Sequence, residues 1–220
     1  MPVLSWLKRQ TASRVPVWLW LLVFSAGLLP LLHGVLGVWF HWLGANPIEA
    51  VTRASGDWAL RFLLLTLLLS SLRRRLGWGL SVRLRRMLGL YAFAYAAVHV
   101  LLYLWLDQFF DWAAIGEDIR ERPFILAGLL AFLALLPLAL TSTRTMMRRL
   151  GARWKSLHRL VYGAGLLAVL HFWWMKESKS DVSEPLWYAV LLGMLLLERL
   201  PLLYRQWSGR SRVRAASGPD

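Results

Sequence analysis

The sequence contains no cysteine among its 220 residues. That absence excludes disulfides, thiolate metal sites, iron–sulfur clusters and cysteine nucleophiles. Acidic residues are scarce, with 12 Asp and Glu against 26 Lys and Arg, so the formal net charge is +14. Long polar segments are also missing, because the longest connections, 41–57 and 107–123, are each about 17 residues. The chain therefore has no room for a separate soluble domain.

Apolar residues dominate what is present, at 58% of the chain, and the mean hydropathy is +0.49. They form about six runs near the ~20 residues that a bilayer core requires. The runs cover residues 17–39, 57–72, 87–106, 124–141, 157–175 and 186–204. Lipid offers no partner for a bare peptide group, and the runs do not alternate as barrel strands do. The sequence predicts an all-α polytopic membrane protein, a bundle of six transmembrane helices.

The basic residues are unevenly placed along these runs. If the N-terminus is cytoplasmic and the spans alternate, 20 of the 26 basic residues lie at cytoplasmic ends, and ten of the twelve acids lie on the other side. This positive-inside pattern predicts that both termini are cytoplasmic. It assigns the basic charge to topology and anionic lipid rather than to nucleic acid.

The predicted organisation has three parts. The first apolar run is treated as a membrane span because no signal-peptide cleavage site follows it. Residues 1–16 form a cytoplasmic N-terminal segment, 17–204 the six-helix domain, and 205–220 a cytoplasmic tail expected to be disordered. The stretch "WAAIGEDI" in the second outer connection predicts a short helix on the membrane surface. We find no internal repeat at a fixed period.

Two of the five histidines lie deep inside predicted spans. His99 lies about 18 Å along the third span, counted from its cytoplasmic start near Met87, and His171 lies about 21 Å along the fifth. The two helices run in the same direction, so the two imidazoles lie at similar depth. If the helices are neighbours, His99 and His171 face each other across a gap.

An ionisable group inside the membrane is a functional hypothesis by default. Zinc requires more ligands than two histidines supply, whereas heme iron takes two axial ligands, and helical bundles hold such rings between facing side chains. Small residues near the pair leave room for a ring: Gly89, Ala92, Ala94, Ala96, Ala97, Gly163, Gly165 and Ala168. The alternative is a pair of hydrogen-bonding histidines in a transporter.

A third histidine, His158, lies about 19.5 Å from His171 along the helix axis, a separation suited to two stacked hemes. Thirteen residues at 100° each leave the two side chains about 220° apart on an ideal helix. The position thirteen residues before His99 is Arg86, beside Met87, so the third span offers no second histidine. A second heme would need Met87, water or an unusual partner. The alternative is a histidine that caps basic residues at the headgroups.

Several segments together resemble one known family. They are "LGANPIEAVTRASGDWAL", "RRMLGLYAFAYAAVH", "ERPFILAG", "LPLALTSTRTMMRRLGARWKSLHRLVY" and "LHFWWMK". This combination, covering roughly residues 15 to 205, resembles the MsrQ (YedZ) family, the heme-binding membrane subunit of the bacterial periplasmic methionine-sulfoxide reductase system. That family belongs to the wider ferric-reductase-like transmembrane group.

The resemblance implies a six-helix b-type cytochrome of the inner membrane with one or two hemes on His99, His158 and His171. It implies electron transfer outward to MsrP, a periplasmic molybdopterin subunit on which methionine sulfoxide in oxidised envelope proteins is reduced. It also implies a quinone or a cytosolic flavin reductase as donor, and FMN as a further cofactor. Two alternatives stay open: a small transporter with histidines as proton relay, and a quinol-oxidising cytochrome b serving another partner.

Overall fold

The computed structural model describes residues 16–76, 81–177 and 182–199, and every regular element within them is helical. The predicted N-terminal segment, except Pro16, and the tail 205–220 lie outside the described residues. The helices are α1 (Val17–Trp39), α2 (Pro47–Leu76), α3 (Ser81–Leu102), α4 (Trp112–Glu121), α5 (Pro123–Leu140), α6 (Arg144–Leu150), α7 (Ala152–Leu157), α8 (Leu160–Glu177) and α9 (Ser183–Leu197). A π-helical turn, Tyr103–Asp107, continues α3.

Four of these helices are long and apolar enough to cross a membrane: α1, α2, α3 with its π turn, and α5. The surface of α1 carries large apolar side chains that no other helix covers, such as Val17 at 73% and Leu29 at 60% exposed. Apolar surface of this extent indicates contact with lipid. The two remaining predicted spans contain α8 and α9, which fall short of the same criterion within the described residues. The chain is a multi-pass helical membrane protein.

Several helix boundaries differ from the predicted runs; α3 begins at Ser81 instead of 87, and α9 begins at Ser183 instead of 186. Helix α2 begins at Pro47, ten residues before the predicted start, because the Asn46 side chain accepts a hydrogen bond from the Glu49 amide at 3.2 Å and so caps the first turn. About two thirds of the predicted outer connection 41–57, residues 47–57, is therefore helix. Helix α8 begins at Leu160 instead of 157. The expected short helix at "WAAIGEDI" is present as α4, capped by Asp111, whose carboxylate accepts from the Ala113 and Ala114 amides.

The core of the bundle is built from antiparallel pairs. Along α2 and α3 the contacts step in opposite directions, from Gly56 against His99 to Ser70 against Arg85. Helices α5 and α8 pair in the same way, with Gly128 against His171 at one end. The C-terminal end of α8 and the N-terminal end of α9 are joined by an ion pair between Lys176 and Glu184, 3.0 Å apart. The two histidine-bearing helices, α3 and α8, thus each have an antiparallel partner that precedes them in the chain.

Helix α1 packs parallel to α3 through two tyrosines. The hydroxyl of Tyr95 donates to the Gly27 carbonyl at 2.8 Å and accepts from the Leu31 amide at 3.0 Å. It is inserted beside Pro30, which has no amide proton to give to the helical ladder. Tyr91 donates to the Phe24 carbonyl one turn away, at 2.7 Å. Polar groups of α1 that lipid cannot satisfy are therefore satisfied by α3.

At the other end of the bundle, charged groups join α9 to α2. The buried guanidinium of Arg199 donates to the Leu67 carbonyl at 2.6 Å and lies 4.9 Å from the centre of the Tyr162 ring. The neighbouring Glu198 accepts from Arg75 at 3.0 Å. A basic residue at this depth is stable because a carbonyl and an aromatic face stand in for water.

Candidate functional site

The structure places the imidazoles of His99 and His171 next to each other. Their ring centroids are 6.1 Å apart and their planes make an angle of 79°. His99 lies near the end of α3, and His171 lies in the second half of α8. The two side chains meet because α3 and α8 run parallel and present them at the same depth.

Each of the two rings is held by a carbonyl oxygen of the neighbouring antiparallel helix. Nδ1 of His99 lies 2.8 Å from the Thr52 carbonyl oxygen on α2, and Nδ1 of His171 lies 2.6 Å from that of Phe124 on α5. A carbonyl only accepts hydrogen bonds, so Nδ1 carries the proton in both rings and Nε2 keeps its lone pair. Metal-binding histidines are oriented in this way by their second nitrogen.

A glycine lies against each ring. A Cβ at Gly56 would stand 3.1 Å from Nδ1 and Cε1 of His99. A Cβ at Gly128 would stand 2.7 Å from Nδ1 and 2.9 Å from Cε1 of His171. In both cases the edge of the imidazole formed by Nδ1 and Cε1 lies against helix backbone. A residue larger than glycine at that position would crowd the ring.

These two histidine seats, each made of a carbonyl, a glycine and a histidine, repeat along the chain. In both, the histidine follows the carbonyl residue by 47 positions, and the glycine follows that residue by four. The α2–α3 pair and the α5–α8 pair are thus two copies of one arrangement, 72 residues apart. The arrangement corrects the expectation that the chain has no internal repeat, and Gly56 and Gly128 were not among the predicted site residues. The available signal was a glycine followed 43 residues later by a histidine, occurring twice.

The pair suits a group that takes two axial ligands. The two ring centroids are 6.1 Å apart. Nδ1 of each ring is engaged by a carbonyl, so Nε2 is the nitrogen that each ring has left to bind a metal. Among the described residues no cluster of three or more His, Cys, Asp or Glu side chains could hold a metal ion. The geometry fits heme iron and does not fit a tetrahedral zinc site.

His158 lies apart from this pair, in the turn between α7 and α8. Its Nδ1 bonds the Trp154 carbonyl at 3.2 Å, its ring stacks on Trp154 with centroids 3.9 Å apart, and Leu138 offers a further backbone hydrogen bond. Because the helix is interrupted at His158, the ideal-helix angle to His171 does not apply here.

Comparison with known families gives one matching family model. Residues 55–169 match the family described as "Ferric reductase like transmembrane component". The match contains both histidine-bearing helices up to Val169, two residues before His171. No solved structure matches the chain.

Comparison with curated proteins gives many relatives that share one name, "Protein-methionine-sulfoxide reductase heme-binding subunit MsrQ". The relative from Herminiimonas arsenicoxydans is 46% identical over 198 residues, which are 90% of this chain and 89% of the relative. The relative from Azospira oryzae is 53% identical over 175 residues, 79% of this chain and 75% of that protein. The relative from Rhodospirillum rubrum is 53% identical over 192 residues, 86% and 91% of the two chains.

Proposed function

Because the chain belongs to the MsrQ family of heme-binding subunits, with a ferric-reductase-like transmembrane component, we propose that it carries electrons across the bacterial inner membrane through heme b. His99 and His171 are the axial ligands of an outer heme in this proposal. The observation that carries it is the pair of imidazoles 6.1 Å apart, each bonded through Nδ1 to a carbonyl.

The chain's own residues do three things at this site. The carbonyls of Thr52 and Phe124 fix the tautomer of each histidine and make its Nε2 a better electron donor to a metal. The apolar bundle around the pair keeps water away, which tunes the potential of a bound redox centre. Heme, when bound, supplies the one-electron chemistry, so no substrate has to cross the bilayer.

The direction of transfer follows from the proposed topology. With six spans and both termini in the cytoplasm, the histidine pair lies in the outer half of the bilayer, on the periplasmic side. We assign the periplasmic molybdopterin subunit MsrP as the acceptor, since reducing methionine sulfoxide consumes two electrons outside the cell. A quinone or a cytosolic flavin reductase is the proposed donor. Residues for these donors and for FMN are not assigned.

His158 is the proposed ligand of a second, inner heme. Its support is the position of Nδ1, which lies 3.2 Å from the Trp154 carbonyl oxygen, much as Nδ1 of each ring in the outer pair lies beside a carbonyl. The described histidines include no partner for it at that depth. Met87, which lies there on α3, is buried in the core cluster. The sixth ligand of an inner heme therefore stays open.

The test is the absorption spectrum of the purified protein in detergent. A b-type cytochrome shows a Soret band that shifts and sharpens on reduction, with heme and protein in a fixed ratio. A colourless protein would favour the alternative of a proton-relay transporter and would refute the proposal.

The direction of transfer needs a separate experiment. In proteoliposomes loaded with an impermeant reductant, the heme should reduce an external impermeant acceptor, and added MsrP should become reduced as well. A cytochrome that oxidises quinol normally but leaves MsrP oxidised would support the other alternative, a cytochrome b that serves a different partner.

A further inference from the structure

The glycines of the two histidine seats have a role that the heme assignment does not include. We propose that Gly56 and Gly128 are positioning residues, which hold the two imidazole planes close to perpendicular and thereby set the spectrum and potential of the bound iron. The inference rests on the proposed heme site, because it concerns the orientation of that site's ligands.

The hydrogen bond at Nδ1 does not define a ring orientation by itself. It fixes one atom, while rotation about the bond to the ring is broad for histidine. The glycine backbone supplies the second constraint, since it stands against Nδ1, Cε1 and Cγ of the ring in both seats. Two constraints on different atoms define the plane. The observed angle of 79° between the planes follows from two such seats on α2 and α5.

Helix packing alone does not account for glycine at these positions. The three nearest atoms that a Cβ would meet at Gly56 all belong to the His99 ring, and at Gly128 all belong to the His171 ring. At Gly165, by contrast, a Cβ would meet leucine side chains of α9 and α2. Glycine also weakens a helix relative to alanine. Its presence at the equivalent position of both seats therefore indicates that the adjacent histidine ring requires it.

The orientation matters because the ligand planes determine how each imidazole overlaps with the iron orbitals. Perpendicular planes leave two of those orbitals nearly equal in energy, and the ferric low-spin centre then has a strongly anisotropic EPR signal. Turning one ring toward the other separates the orbitals and reduces the anisotropy. Orientation and hydrogen bonding of axial ligands are also levers on potential.

The experiment compares Gly128→Ala and Gly56→Ala with the matched control Gly193→Ala. Gly193 lies within the helix α9, and a Cβ there would meet nothing within 4 Å. We measure the ferric EPR signal, the midpoint potential and the heme-to-chain ratio of each purified variant. Gly128→Ala should lower heme affinity by about 10–100-fold and shift both signal and potential. Gly56→Ala should act in the same direction but less, because its Cβ would stand farther from the ring. Gly193→Ala should match the wild type.

The inference is overturned if both seat variants retain the wild-type EPR signal and potential. It is also overturned if they lose stability while the remaining heme keeps its wild-type signal, since that result indicates a purely structural role. If Gly128→Ala does not fold, the milder Gly56→Ala decides. A wild-type protein without heme would refute the proposed function instead, so the two failures are distinguishable.

Discussion

The outer histidine pair and His158 are held in different ways. His99 and His171 bond carbonyls of other helices, 47 residues earlier in the chain, and each lies against a glycine. His158 bonds the carbonyl of Trp154, four residues before it, and stacks on the same residue. The geometry of the His99–His171 pair thus depends on the assembled bundle, whereas His158 takes its contacts from Trp154 in its own turn and from the Leu138 backbone on α5.

This difference indicates which site is built for a fixed ligand geometry. Contacts from several helices fix an imidazole before any ligand arrives, which reduces the entropy lost on binding. His158 takes one hydrogen bond and its ring contact from Trp154, so its position follows that turn more closely. We therefore expect the outer pair to bind its cofactor more tightly and to be less sensitive to changes near the inner end.

The largest expected effect comes from removing a histidine of the outer pair. His99→Ala or His171→Ala should abolish the outer heme, because one axial ligand is lost in each. His158→Ala should retain it. The heme-to-chain ratio and the Soret band of the purified variants measure this, with His33→Ala on α1 as a histidine control. Full heme occupancy in both outer variants would contradict the pairing.

A second change weakens the bundle around α3 without touching either histidine. Tyr95→Phe leaves the Leu31 amide without the hydroxyl it bonds, at a cost of about 1–3 kcal/mol in unfolding free energy. Tyr91→Phe is the matched control and should cost less, because Tyr91 only donates to a carbonyl. Thermal unfolding in detergent compares the two. Equal stabilities of the Tyr95→Phe and Tyr91→Phe variants would show that the Tyr95 hydroxyl does not compensate for backbone hydrogen bonding lost near Pro30.

A third change tests the local character of the inner site. Trp154→Phe removes the bond from the indole nitrogen to the Thr141 carbonyl, 3.0 Å long, and keeps an aromatic ring beside His158. Such a bond contributes about 1 kcal/mol, so amide exchange in α7 should become roughly five-fold faster. The potential of the outer heme should not change. A shift in that potential would mean that the two regions are coupled.

The smallest effect is expected at the ion pair between Glu198 and Arg75. Burial raises the pKa of Glu198, but hydrogen bonds from Arg75 and Ser71 outweigh it, and the pKa lies below its ordinary value of 4.5. A lowered folded-state pKa stabilises the protein above the ordinary value, and this contribution disappears as the pH falls through the lowered one. Glu198→Gln should therefore cost less than ~1 kcal/mol at pH 7 and nothing in strong acid. If the variant remains less stable than the wild type in strong acid, the loss of stability comes from packing rather than from the ion pair.

Part of this architecture could be predicted from the sequence. Apolar runs locate helices because lipid leaves the backbone no other solution, and α1 begins and ends where its run does. Counting 1.5 Å per residue put His99 and His171 at one depth, since both spans start on the same side. The depth of a residue along a helix depends only on where its own span starts, so composition and charge were sufficient to predict that the two histidines lie at one depth.

Other features depend on which helices are neighbours, and the sequence does not give that directly. Nothing in the sequence around Gly56 indicates a role at the site. The role becomes visible only when α2 is known to pack on α3 with His99 opposite Gly56. The early start of α2 depends on the Asn46 cap, which a run defined by apolarity cannot include. The predicted fifth run begins at 157, where α7 ends, so the run could not show that α8 starts only at Leu160, beyond a turn at His158.

The repeated seat has a consequence for biosynthesis. Each half of the histidine pair is encoded 72 residues apart, so the ribosome completes the first hairpin long before the second ligand exists. A nascent chain ending before α8 has one imidazole in place and no counterpart. If His99 and His171 hold the heme as proposed, its insertion must wait until most of the polypeptide has entered the bilayer, which makes heme capture a late checkpoint of correct assembly.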